Sequence, residues 1–409
     1  MPIYVLLERI IIFIVILVII SQFLVIISSA FITRFRRRRA HLSIGELNQP
    51  PVYINGNQLQ IYTFGMDLYN TMLKDIEAAT ESVCLESFIW KGDSIGNKFK
   101  ETLIRKAQSG VPVYVIFDGF ANLVVPRAFK QFPKDVHVLV YRSWSRFLDF
   151  FDPRRLARDH RKLLVIDRKI GYTGGYNIGD LYGEKWRDTH IRVEGLSAQN
   201  LYASFTDFWN DHARNKSFPL EPAAASIIPN IRLYENNPVQ LTFPIRSLYI
   251  DAIDLAKNRV YLTTPYFIPD RYVLRSLIRA AHRGVDVQLL IPERSNHLLA
   301  DWLARTYFTQ CLKEGIRVFL YQGAMIHAKT ATIDGLWTTI GTANLDRLSL
   351  MGNYEINMEI LDEQMAAGIE AVFQHDLIYC KELHLDEWNH RSLAQKMGEL
   401  VLSPLWPFL

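Results

Sequence analysis

Cysteine is nearly absent from this chain. The 409 residues include three, Cys84, Cys311 and Cys380, odd in number, far apart and without CxxC spacing. That excludes a disulfide scaffold and a cysteine zinc site, and it suits a reducing compartment. Long apolar runs are as scarce. Only residues 10–32 are long and apolar enough to span a bilayer, which excludes a polytopic membrane protein. Net charge is small at +4. Residues 1–40 hold Arg9, Arg34, Arg36, Arg37, Arg38 and Arg39 against Glu8, leaving 40 basic and 41 acidic groups in the remainder. A near-neutral body offers no global charge argument for nucleic acid as a partner. What the sequence does have is 49% hydrophobic and 12% aromatic residues, too apolar for a disordered chain. Its length is comfortable for two domains.

Between Ile10 and Ile32 the polar residues are Ser21, Gln22, Ser28 and Ser29. A stretch of about 23 residues crosses a bilayer as one transmembrane helix with some tilt. Ser28-Ser29-Ala30 also reads as a signal-peptide cleavage site, so a removed leader stays open. Five arginines follow the span and one precedes it. The positive-inside rule then puts residues 41–409 on the cytoplasmic side of a cell (inner) membrane. The arginines themselves would lie among anionic headgroups.

After Pro50-Pro51 the pattern is α/β. Spacing predicts a helix over 67–80, a strand over 83–89, a helix over 99–108 stopped by Gly110, and a buried strand from Val111. The same order returns as helix 247–257, strand 260–264, helix 272–282 stopped by Gly284, and strand 285–291. Ile104 to Val111 aligns with Ile278 to Val285. A repeated order implies two similar domains, placed at 41–212 and 247–409. Residues 213–246, with Pro219, Pro222, Pro229, Pro238 and Pro244, are expected as the linker.

Each half closes on one constellation. His160-x-Lys162-x4-Asp167-x6-Gly174-Gly175-x-Asn177 matches His327-x-Lys329-x4-Asp334-x6-Gly341-Thr342-x-Asn344 at a constant offset of 167. Asp188 and Glu355, also 167 apart, extend the register. On a strand, His and Lys two apart share a face. The glycines let backbone come close, and each Asn adds an amide donor. Two such edges face to face would surround one anion with two imidazoles, two ammonium groups and two amides. Cations and amides neutralise phosphoryl oxygens, and two histidines handle attack and leaving-group protonation. That is a phosphodiester site. A lysine beside each histidine argues against a metal there, since cation repels cation.

These paired HxKxxxxD motifs resemble the phospholipase D superfamily over about residues 60–405. Within it the chain resembles the bacterial cardiolipin synthases. That likeness rests on the N-terminal span, His160-Arg161-Lys162-Leu163-Leu164, Trp186-Arg187-Asp188-Thr189-His190 and Leu402-Ser403-Pro404-Leu405. Such members often carry two spans where this chain has one. The resemblance implies two mixed sheets flanked by helices and sharing one active site, with no cofactor. It implies attack on phosphorus by His160 and proton transfer by His327, with the reverse assignment open. Lys162, Lys329, Asn177 and Asn344 would hold the phosphate, and Asp188 and Glu355 would orient the histidines. Asp167 and Asp334 complete the catalytic signature and are expected to shape its turns. The implied reaction joins two phosphatidylglycerols into cardiolipin and glycerol.

The same residues would serve a hydrolase with water as acceptor, or a phosphodiesterase nuclease. A silent scaffold should have lost a motif residue, and none is missing. Residues 142–169 interleave Arg142, Arg146, Arg154, Arg155, Arg158 and Arg161 with Trp144, Phe147, Phe150 and Phe151. That mixture suits anionic phospholipid at a membrane interface, or else core packing beside the site.

Overall fold

Two features that look like breaks in the sequence, a capping aspartate and a left-handed glycine, bound the repeated helices. The computed structural model describes residues 47, 49–142, 157–213 and 219–391. The expected span 10–32, the arginine run 34–39, residues 143–156 and the C-terminal 402–409 lie outside the described residues. Among the described residues no helix is long and apolar enough to cross a membrane.

The first half runs β1 (Val52–Ile54), β2 (Asn57–Tyr62), α1 (Gly65–Ala78), β3 (Val83–Ser87), α2 (Ser94–Gln108), β4 (Val113–Asp118), β5 (Val136–Tyr141), β6 (Lys162–Ile166), β7 (Ile170–Gly174), α3 (Asp180–Lys185), β8 (Trp186–Arg187), β9 (His190–Glu194) and α4 (Leu196–His212). The second runs β10 (Ile231–Asn236), α5 (Pro244–Leu255), β11 (Arg259–Thr263), β12 (Phe267–Ile268), α6 (Arg271–His282), β13 (Asp286–Pro292), α7 (Leu298–Lys313), β14 (Arg317–Tyr321), β15 (Met325–Ile326), β16 (Thr330–Ile333), β17 (Trp337–Gly341), β18 (Leu345–Asp346), α8 (Arg347–Met351), β19 (Glu355–Leu361), α9 (Glu363–Leu377), β20 (Cys380–Leu383) and α10 (Leu385–Asn389).

Helix α2 starts at Ser94, earlier than apolar spacing predicts. The Asp93 carboxylate accepts from the Gly96 N–H and caps the first turn. Asp270 does the same for α6 through Tyr272 and Val273. Both helices end just before a glycine at positive φ, Gly110 (92°) and Gly284 (85°). There a side chain would be strained.

Two eight-stranded sheets result. The first is ordered β1-β2-β9-β7-β6-β3-β4-β5, and the second β10-β19-β17-β16-β11-β13-β14-β20. From β2 and from β10 onward the two orders correspond strand for strand. In both, a parallel trio (β3-β4-β5, β11-β13-β14) meets an antiparallel set. The mixed sheets flanked by helices are those expected.

The expected linker needs correction. Residues 231–236 lie inside 213–246, yet they form β10 and pair with β19 over six residues. Pro244 does not interrupt structure either. It occupies the first turn of α5, where a missing N–H breaks no helical hydrogen bond.

Strand alternation divides the core. Leu164 and Ile166 face α1 and α2 in one apolar cluster. Leu163 and Val165 face the other way and join Ile191 and Val193 with Ile340, Ile356, Met358 and Ile360 of the second sheet. The halves therefore share a continuous core, with α4 and α9 closing it.

Candidate active site

The backbone brings the two motifs together before any side chain does. At the entry to β6, the His160 N–H donates to the Tyr354 carbonyl (3.1 Å), and Asp159 bridges Tyr354 in parallel. At the entry to β16, the His327 N–H donates to the Arg187 carbonyl (2.6 Å), and β15 pairs in parallel with β8. Each histidine is thus stitched to the residue that precedes the other half's carboxylate.

The carboxylates follow from that stitching. Glu355 reaches His160 Nδ1 with Oε1 at 2.9 Å and Oε2 at 3.0 Å. Asp188 Oδ2 reaches His327 Nδ1 at 2.7 Å. The pairs are crossed between halves, a relation that equal spacing in sequence does not reveal. An Nδ1–H donated to a carboxylate leaves Nε2 bare, the form needed for attack or proton abstraction.

Lys162 Nζ donates to the His160 carbonyl at 2.7 Å, and Lys329 Nζ to the His327 carbonyl. Lys329 Nζ also lies 2.9 Å from His327 Nδ1. All six side chains are buried. Burial and the two lysines hold both imidazoles well below their ordinary value, so they are neutral. Burial lowers Lys162 to about 8 and Lys329 to about 7, and it raises Asp188 to about 6 and Glu355 to about 8. An anion entering this site would restore the charge on both lysines.

The residue after the first motif glycine differs between the copies for a steric reason. A Cβ at Gly175 would lie 2.0 Å from Asp188 Oδ1. In the second copy Thr342 fits, and its hydroxyl donates to Glu355 Oε2. Sequence reasoning took this slot as room for backbone and missed the threonine. The concerted change, Gly to Thr with Asp to Glu, was the available signal. It also missed the ring walls, Phe88 with its centroid 4.5 Å from His160 and Trp186 5.0 Å from His327.

The asparagines are buried in the turns after β7 and β17. Asn177 Oδ1 accepts from the Ile89 N–H at 3.1 Å, which fixes the amide. Asn344 bonds to Asp346, and its Oδ1 is buried without a partner.

Asp167 and Asp334, included among the catalytic candidates, sit elsewhere. Strands β6 and β16 lie between each histidine and its aspartate, and at about 3.3 Å per residue the seven-residue step puts the aspartate on the order of 20 Å away, past the far end of the strand. Asp167 accepts from the backbone of Thr80, Glu81 and Ser82. Asp334 does so from Lys257, Asn258 and Arg259. Against the upward pull of burial, those N–H groups hold both carboxyls below their ordinary value. They fasten turns and touch no reacting group. Arg161 is likewise no headgroup ligand. It is buried in a fork to Glu86 (2.8 Å twice) and reaches Glu235 at 3.0 Å.

No group of three or more acidic, histidine or cysteine side chains suited to a metal occurs among the described residues.

Known proteins resemble this chain in sequence and in fold. Residues 249–377 match a family model described as cardiolipin synthase, PLD-like domain. A cardiolipin synthase of Clostridium perfringens (strain SM101 / Type A) is 30% identical over 380 residues, covering 88% of this chain and 79% of that protein. The major cardiolipin synthase ClsA of Bacillus subtilis (strain 168) is 32% identical over 389 residues, covering 89% and 78%. Among solved structures, phosphatidylserine synthase of Haemophilus influenzae Rd KW20 shares the fold. Its TM-score is 0.64 at 16% identity, over 86% of this chain and 93% of that one.

Proposed function

This chain belongs to the cardiolipin synthase family of the phospholipase D superfamily, and on that footing we propose that it is a membrane-bound phosphatidyltransferase making cardiolipin from two phosphatidylglycerols. One observation carries the mechanism: two neutral histidines, each backed by a carboxylate from the other half, with two lysines in the same buried site. His160 Nε2 attacks phosphorus and forms a P–N bond. The entering phosphodiester anion favours imidazolium at His327, which takes a proton from solvent on Nε2 while Asp188 keeps Nδ1–H, and as the P–O bond to the donor's headgroup glycerol breaks the leaving oxygen takes that Nε2 proton. Glu355 holds the Nδ1 proton and stabilises the charge on phosphohistidine. A glycerol hydroxyl of the second phosphatidylglycerol then gives its proton to His327 and attacks phosphorus. The P–N bond breaks, and cardiolipin leaves.

Lys162 and Lys329 neutralise the phosphoryl oxygens, with the Asn177 and Asn344 amides beside them. Burial, and then Lys329 2.9 Å from its Nδ1, disfavour imidazolium at His327, so a proton it takes up is readily given to the leaving oxygen, which supports this division of roles. Residues 10–32 anchor the chain in a single pass, with the body in the cytoplasm.

The test is to incubate membranes bearing the protein with labelled phosphatidylglycerol and resolve the lipids. Cardiolipin and free glycerol in equal amounts are expected. Phosphatidic acid as the main product, with phosphatidylglycerol abundant, would replace this reading with a hydrolase.

A further inference from the structure

Exposed apolar side chains are scattered over most of this surface, but the loop after β4 carries three within five residues. Phe120 is 49% exposed, Leu123 66% and Val124 81%. We propose that this loop, residues 119–128, is a membrane-docking finger that seats the mouth of the active site in an anionic phospholipid bilayer. The inference rests on the transferase reading for its substrate and adds to it the surface that meets the lipid.

The loop is held rigidly. Asn122 is buried, and its Nδ2 donates to the carbonyls of Phe88 and Asp118, both at 2.8 Å. Its Oδ1 accepts from the Trp90 N–H at 2.9 Å. Asp118 Oδ1 accepts from the N–H groups of Phe120 and Ala121 at 2.8 Å. Polar groups therefore point inward and apolar groups outward, the reverse of a soluble loop.

The same bonds fix the loop beside the chemistry. Phe88, tied to Asn122, packs its ring on His160. Asp118 Oδ2 accepts from the N–H of Asp159, the residue before His160, at 3.0 Å.

Charge selects the partner. From Gly119 to Lys134 the chain carries Arg127, Lys130 and Lys134 and no acid. Arg158 lies over the Phe120 ring at 3.8 Å. An apolar tip with a cationic collar fits acyl chains beneath anionic headgroups. The corresponding loop after β13, Glu293-Arg294-Ser295-Asn296-His297, is polar, so the feature belongs to one half and not to the fold.

The test uses the full chain in phosphatidylglycerol nanodiscs. A Val124→Cys substitution in a Cys380→Ser background carries an environment-sensitive fluorophore, Cys84 and Cys311 being buried. A blue-shifted probe quenched by nitroxide on the acyl chains is expected. A probe that stays unquenched overturns the proposal, whether it lies in water or under another part of the chain. This readout needs no turnover, so it fails or holds independently of the transferase reading. As a second arm, Leu123→Asp with Val124→Asp should cut turnover of bilayer phosphatidylglycerol by about tenfold or more. Turnover of dispersed short-chain phosphatidylglycerol should be unchanged. Equal loss on both substrates would mean that the loop supports the fold and nothing more.

Discussion

Thr342 and Gly175 fill one slot in the two motif copies, and each is matched to the carboxylate beside it. The Thr342 hydroxyl is one of the groups holding the Glu355 carboxyl down against burial. Thr342→Val removes that donor, so Glu355 protonates at higher pH. The acid limb of kcat should move upward, with kcat itself about threefold to tenfold lower. An unmoved limb would show that Thr342 only fills space. Gly175→Ala should be inactive at any pH, because Asp188 must move away from His327. The lysines give a second pH signature. Burial lowers Lys329 to about 7 and Lys162 to about 8 in the free enzyme, so both lose charge as pH rises through that range. A bound phosphodiester raises them again. The alkaline limb of kcat/KM should therefore lie below that of kcat, and coincident limbs would sink this account. The site residues were legible because His, Lys, Asp or Glu, and Asn recur in one register. The crossing of the pairs was not, since an offset of 167 holds whether each carboxylate serves its own histidine or the other.

At the scale of elements, Asp167 and Asp334 separate signature from chemistry. Each gathers backbone N–H groups in a turn of positive φ, 52° and 55°. Asp167→Ala or Asp334→Ala should lower stability by about 1–3 kcal/mol in denaturant titration. The kcat of the folded fraction should stay within a few-fold of wild type. A loss of several orders in kcat with stability intact would return them to the catalytic set. The four repeated helices α1, α2, α5 and α6 and the strands after them were readable from apolar spacing, whereas α4, α7 and α9 were not, nor was a start that a capping aspartate extends. Strand β10 was hidden because prolines flank it and its Leu233 and Tyr234 are only half-buried, so it has neither the run nor the alternation of a core strand.

Across the whole molecule, polar as well as apolar contacts join the halves. Arg187, fully buried, pairs with Asp376 of α9 at 2.8 Å and also donates to the Thr63 and Asp188 carbonyls. Asp376→Ala would leave a buried guanidinium without its counter-ion, a loss of about 3–5 kcal/mol. Because Arg187 also carries the His327 backbone contact, activity should fall further than the unfolded fraction explains. Equal losses would confine Arg187 to stability. A related expectation concerns mixing. His160→Ala and His327→Ala should each abolish turnover, and the two inactive proteins combined should not regain it. Half the activity in each single variant would mean two independent sites.

The crossed carboxylates make each copy of the repeat half of a site. A lone copy would hold a histidine without the carboxylate that backs it here, and it is completed only by a second copy opposite it. Carrying both copies in one chain fixes their ratio at one to one. It also frees the copies from identity, as Gly175 with Asp188 against Thr342 with Glu355 shows. One face could then specialise for breaking a bond and the other for moving a proton, a division that two identical chains can never inherit.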